Sequence, residues 1–128
     1  MSLTNYTHEK FISADTSVAN GATEVEGTDF DSEIAELAHV QEMAISVYVK
    51  GADAGAAGNA EFCFAAYDQV RGLWDTVEYL KITVAIDGAN DVQKTVTVDP
   101  SPEKLKLLSI KNADDAAITA NASYVAKR

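Results

Sequence analysis

One cysteine, two prolines, two histidines and no long apolar run: the chain is short of most of the residues that build catalytic or membrane-spanning proteins. With Cys63 alone, no disulfide can form within the chain. Cys63 sits between Phe62 and Phe64 in "EFCFAAY", so its expected role is that of a small apolar residue on a core strand, not a nucleophile. His8 and His39 are too few and too widely spaced to suggest a metal centre. No stretch approaches the length needed to cross a bilayer as a helix. The opening "MSLTNYTHEK" has no apolar core segment, which predicts no secretory export. On that expectation the acceptor triplets at Asn5 and Asn121 carry no glycan. A phosphate-cradling glycine loop, a nucleophile elbow and a paired-cysteine zinc pattern are all missing. The sequence therefore predicts no enzyme and no cofactor.

Cations are scarce as well. Ten basic residues face twenty acidic ones, for a net charge of −10. Nucleic-acid backbones and anionic lipid both demand the opposite sign, so neither is an expected partner. The scarcity is local too. From Phe11 to Val49 there is no Lys or Arg, while Asp15, Glu24, Glu26, Asp29, Asp31, Glu33, Glu36 and Glu42 all fall there. Within that acidic run, Asp29, Asp31 and Glu33 alternate like the first ligands of a calcium loop. The glycine and glutamate that complete the helix–loop–helix version are missing, which leaves a solvated acidic segment as the favoured reading. Glu24, Glu26, Asp29, Asp31, Glu33 and Glu36 are the candidate contacts for a partner carrying positive charge.

What the chain does have is small apolar residues in alternation. Residues 1–40 are polar and weakly periodic, and read as an extended arm. "DFDSEIAELAHV" forms either a short helix capped by Asp31 or Ser32, or a loop running into a strand. From Met43 the period is two: Met43, Ile45, Val47 and Val49 share one face, and Ala44, Ser46, Tyr48 and Lys50 the other. A flexible loop, "GADAGAAGN", precedes a strand carrying Phe62, Phe64 and Ala66. A long strand over 74–87 then turns at "DGAND" into a return strand that places Gln93, Thr95 and Thr97 on one face, and "DPSP" stops it. "KLKLLSIKN" and "AITANASYVAKR", joined by "ADDA", supply two more strands. Six or seven short strands predict an all-β fold, an antiparallel sandwich or jelly roll over residues 41–128. Ile45, Val47, Phe62, Phe64, Leu80, Ile82, Val84, Val96, Leu107 and Ile110 are its expected core. Trp74, Tyr48, Tyr67, Tyr79 and Tyr124 offer rings for a carbohydrate platform, although cross-strand packing is the commoner use of such residues.

From Met43 to the end, the hairpin-like "ITVAIDGANDVQKTVTVD" and the closing "KLKLLSIKNADDAAITANASYV" resemble the auxiliary capsid proteins of tailed phages, the decoration or cement class. The resemblance implies a β-sandwich made in the host cytoplasm that binds the major capsid protein on the capsid surface. It also implies a homotrimer as the working form. Two alternatives stand beside it: another virion part, such as a tail or head-to-tail connector protein, and a calcium- or carbohydrate-binding β-module.

Overall fold

A computed structural model describes residues 6–113 and 116–128. Asn5, and Asp114 and Asp115 of the "ADDA" segment expected to turn, lie outside the described residues. The strands are β1 (Tyr6–Lys10), β2 (Thr16–Val18), β3 (Thr23–Val25), β4 (Ala35–Glu36), β5 (Glu42–Gly51), β6 (Asn59–Asp68), β7 (Leu73–Trp74), β8 (Leu80–Ala85), β9 (Asp91–Val98), β10 (Lys104–Asn112) and β11 (Ile118–Lys127). No helix occurs among the described residues, and the "DFDSEIAEL" segment is a loop leading into β4. Every named pairing is antiparallel.

These strands build two facing sheets. Across the front sheet the order is β1, β11, β5, β9, with β2 continuing the β1 position along β11. Across the back sheet it is β3, β10, β6, β7, with β4 extending the β3 edge and β8 running beside β6. Each link from β4 to β5, β5 to β6, β8 to β9, β9 to β10 and β10 to β11 changes sheet. That connectivity is a jelly roll.

The front sheet contributes Met43, Ile45, Val47 and Val49 to the core, and the back sheet Phe62, Phe64, Ile82 and Val84. Alternation puts them there because one face of each strand must leave water. Of the expected core, Leu80 and Val96 are only partly buried, at the rim of the packed cluster. The leucines of β10, at both parities in sequence, are sorted by an irregularity. The register with β6 shifts between Leu107 and Ser109, so Leu105, Leu107 and Ile110 all point inward and are buried.

Three expectations are corrected. First, residues 6–40 are not a separate arm. β1 and β2 zip along β11, β3 and β4 along β10, and Phe11, Ile12, Val18, Phe30, Ala35 and Leu37 are buried in the common core. Strands of two to five residues show too few repeats for a period to register in sequence.

Second, residues 81–99 are not a hairpin. β8 pairs with β6 in the back sheet and β9 with β5 in the front, so "IDGAN" is an arch between layers. Arch and hairpin share the same alternation and the same turn residues. Lys94 bridges the two layers on that side, its Nζ donating to the Thr83 carbonyl at 3.0 Å. In register with the inward Val47, this lysine interrupts the apolar row of edge strand β9 and discourages further strand pairing there.

Third, residues 74–87 are two elements. β7 folds back on the end of β6, and β8 begins only at Leu80.

The arch also explains the glycine-rich 51–59 segment, which is packed against it. The Gly88 amide, at φ +57°, donates to the Ala56 carbonyl at 2.8 Å. A Cβ on Gly51 would collide with the Gly88 carbonyl and the Ala56 methyl. Only glycine fits that approach.

Candidate functional site

The front sheet turns its polar parity outward, and strand pairing arranges those side chains in cross-strand rows. Val125, Ala44 and Thr97 make one row, continued on β1 by His8; Ser123, Ser46 and Thr95 make the next, continued by Lys10. Longer side chains stand on either side: Tyr6, Lys127 and Glu42 in one bounding row, and Asn121, Tyr48 and Gln93 in the other. Two rows of short side chains between two rows of long ones form a shallow trough across the strands. Its largest depression, about 650 Å³, lies over Ser46, Ser123 and Val125 and is bordered by His8, Lys10 and Glu33.

The trough side chains are held in place. The Ser46 and Thr95 hydroxyls bond each other at 2.6 Å. Asn121, largely buried, donates through Nδ2 to Asp15 Oδ1 at 2.8 Å and accepts the Ala122 amide at 2.7 Å. The Tyr48 hydroxyl donates to Asp91 Oδ1 at 2.7 Å.

That last bond, with some burial, pushes the Tyr48 phenol up to about 12. The folded chain thus holds this proton more tightly than the unfolded chain, whose tyrosines ionise near 10. The stabilisation is complete below pH 10 and is lost as pH rises through about 12. Burial also raises the Tyr124 phenol, so an ultraviolet titration should show two late-ionising groups, of which Tyr48→Phe removes one. The same substitution should cost about 0.5–1 kcal/mol at neutral pH, a small value because solvent screens the pair.

The back sheet carries a different surface. Tyr67 and Trp74 meet edge to face at 5.2 Å. Lys104 lies over the tyrosine ring at 5.1 Å and Lys106 over the indole at 4.5 Å. Lys106 also pairs with Glu26 at 3.1 Å. Cys63 faces outward here and is half-covered rather than fully buried. Partial burial pushes its thiol up, which keeps it protonated and slow to react at neutral pH.

Beyond this cluster, the 69–79 loop between β6 and β8 exposes a run of large apolar side chains: Val70 at 92%, Leu73 at 62%, Val77 at 71% and Tyr79 at 44%. Its backbone is nonetheless ordered by local bonds. Asp68 caps the turn through the Val70 and Arg71 amides and pairs with Arg71 at 2.9 Å. The Arg71 contacts hold the Asp68 carboxyl below the usual range. Asp75 exchanges bonds with the Ala66 backbone.

The acidic candidates divide between structural and free roles. Asp29 closes its own turn, Oδ2 accepting the Val25 amide at 2.8 Å. Glu24, partly covered and beside Asp29, has its carboxyl raised first by burial and then by that neighbouring charge. Glu26 is tied to Lys106, and Glu36 approaches Lys104 at 4.0 Å. Asp31 is exposed, while Glu33 borders the front trough. Asp29, Asp31 and Glu33 are not gathered, and among the described residues no three metal-type side chains converge.

The five rings considered for a platform are divided as well. Tyr48 is on the front face, Tyr67 and Trp74 on the back, Tyr79 in the loop, and Tyr124 packs inside against Phe11 at 5.0 Å. Tyr6, which sequence reasoning passed over, and His8, weighed there only as a metal ligand, join Tyr48 on the front face through β1. The signal for them lay in "YTHEK", where alternation is present but too short to stand out.

These features define an antiparallel β-sandwich of jelly-roll connectivity with one polar face bearing a shallow trough and one loop with exposed apolar side chains. The sequence matches no protein-family model and no curated protein. Two solved xylanase modules share the fold. The CBM22-1 xylan-binding domain of Paenibacillus barcinonensis Xyn10C is similar with a TM-score of 0.51 at 15% identity, over 99% of this chain and 97% of that one. The CBM22-1–GH10 modules of Clostridium thermocellum xylanase 10B, solved with xylohexaose, give 0.50 at 12% identity, over 94% of this chain and 26% of that one. The SPBc2 prophage-derived protein YomS is more distant, with a TM-score of 0.37 at 10% identity, over 100% of this chain and 97% of that one. At these identities the likeness to the two xylanase modules establishes the sandwich fold alone.

Proposed function

We propose that the protein is a non-catalytic attachment module of a phage virion, docking on the outer surface of a capsid and reinforcing it. The observation that carries the reading is the 69–79 loop, where Val70, Leu73, Val77 and Tyr79 are each exposed to solvent. A monomer gains nothing by exposing four large apolar side chains on one ordered loop, whereas an assembly protein buries them on its partner. The style of the sequence from Met43 onward points to the major capsid protein as that partner, a homotrimer as the working form, and the virion surface as the location.

The loop also decides how binding should respond to salt. Apolar burial is insensitive to ionic strength, whereas contacts through exposed carboxylates such as Asp31 weaken once the screening length falls below about 8 Å. Co-sedimentation with purified capsid shells tests the proposal, with light scattering for the oligomeric state. The expected result is saturable binding that changes little between low and high salt. Replacing Val70, Leu73 and Val77 together by Asp should weaken it at least tenfold, while the melting temperature stays nearly constant because none of the three is buried. A chain that stays monomeric and sediments with no shell would end the reading.

A further inference from the structure

We infer that the front-sheet trough is a binding site for a neutral, linear oligosaccharide, separate from the 69–79 docking loop. A sugar chain presents hydroxyls that both donate and accept, alternating with C–H faces that seek apolar cover. The trough offers both kinds of partner in one strip. Ser46, Thr95 and Ser123 supply hydroxyls, Gln93 supplies an amide, and Ala44 and Val125 form the apolar floor. Tyr6, 56% exposed on edge strand β1, stands as a ring at one wall.

Three further observations narrow the ligand. The depression of about 650 Å³ falls within the size of small-ligand sites, and it adjoins smaller hollows, one sharing Val125 with it and the other Ser46 and Ser123. The charges around it are of both signs, with Lys10 and Lys127 beside Glu9, Glu33 and Glu42. A polyanion or a cation would require one sign to dominate. Large apolar side chains are scarce on this face, which disfavours a protein partner, whose contact needs an apolar centre.

The polar groups are also arranged in advance. The Ser46–Thr95, Asn121–Asp15 and Tyr48–Asp91 bonds fix side chains that a ligand would otherwise have to order. Fixing them beforehand lowers the entropy cost of binding.

The test is a nitrogen-15 amide titration of the full chain with xylohexaose, cellohexaose and maltohexaose, each to about 10 mM, the range that detects weak sugar binding. The expected result is saturable shifts with at least one of them, centred on the amides of Ser46, Thr95, Ser123 and Asn121. Ser46→Tyr, which fills the trough, should weaken that binding at least tenfold. Tyr6→Ala, at an exposed position that folding does not need, should weaken it several-fold and serves where the first variant misfolds. Leu73→Asp should leave it unchanged, which separates this site from the docking loop. The inference is overturned by any of three results. These are no shift at those four amides with all three sugars, undiminished binding by both trough variants, or tighter binding of a sulfated oligosaccharide than of any neutral one.

Discussion

A chain that begins at residue 21 will not fold. The removed segment includes β1 and β2, which together line the length of β11, and Phe11, which is fully buried. The Phe11 ring packs against Phe64 of the opposite sheet at 5.2 Å and against Tyr124 at 5.0 Å. Its loss alone, as Phe11→Ala, should cost about 3–5 kcal/mol, because a cavity opens where both layers meet. Whole domains have only about 5–15 kcal/mol of stability, so losing Phe11, Ile12 and Val18 together with a sheet edge exceeds what the remainder can absorb. Circular dichroism and amide dispersion should show a disordered truncated chain, with the full-length Phe11→Ala variant folded but melting early. A truncated chain that melts cooperatively would restore the picture of a detachable arm.

The second large effect belongs to one amide. Asn112, at the end of β10, has no exposed surface. Its Nδ2 donates to the carbonyls of Val18 and Ala19 at 3.2 Å each and of Ala116 at 2.7 Å. Its backbone amide bonds the Ala22 carbonyl at 2.9 Å. One residue thus ties the β2–β3 turn to the segment that enters β11. Asn112→Leu keeps the branched outline, adds bulk at a fully buried position and leaves those carbonyls facing an apolar side chain. That should cost about 2–4 kcal/mol and lower the melting temperature by about 8–15 °C. Asn112→Asp should do at least as much damage, since it sets a charge against carbonyl oxygens in the interior. If both variants melt like the parent, the amide is not the tie described here.

How far this molecule was legible follows from strand length. β5, β6, β10 and β11 each run nine or ten residues, and alternation over that span marks a face without help from neighbours. The outward parity of β5 and β9 was therefore readable, and with it most of the trough floor. β1 and β2 were not, because three to five residues of mixed polarity acquire meaning only beside β11. Asn112 gave no warning either. An asparagine between a lysine and an alanine, followed by two aspartates, reads as turn chemistry, and its distant partners Val18, Ala19 and Ala22 are some ninety residues earlier in the chain.

By itself, then, the sequence determined the class of structure: an all-β sandwich, the inward and outward faces of its long strands, and a net acidic charge. Those properties are local, since period two and composition are set within a strand. Only the tertiary structure decided that residues 81–99 form an arch rather than a hairpin. It alone decided that the first forty residues belong to the core, and that Tyr6, Ser46 and Ser123 share one trough while Val70, Leu73 and Val77 share one exposed loop. These are questions of which strand lies beside which. Backbone hydrogen bonds are the same whichever partner supplies them, so pairing is chosen by long-range burial across the whole sandwich.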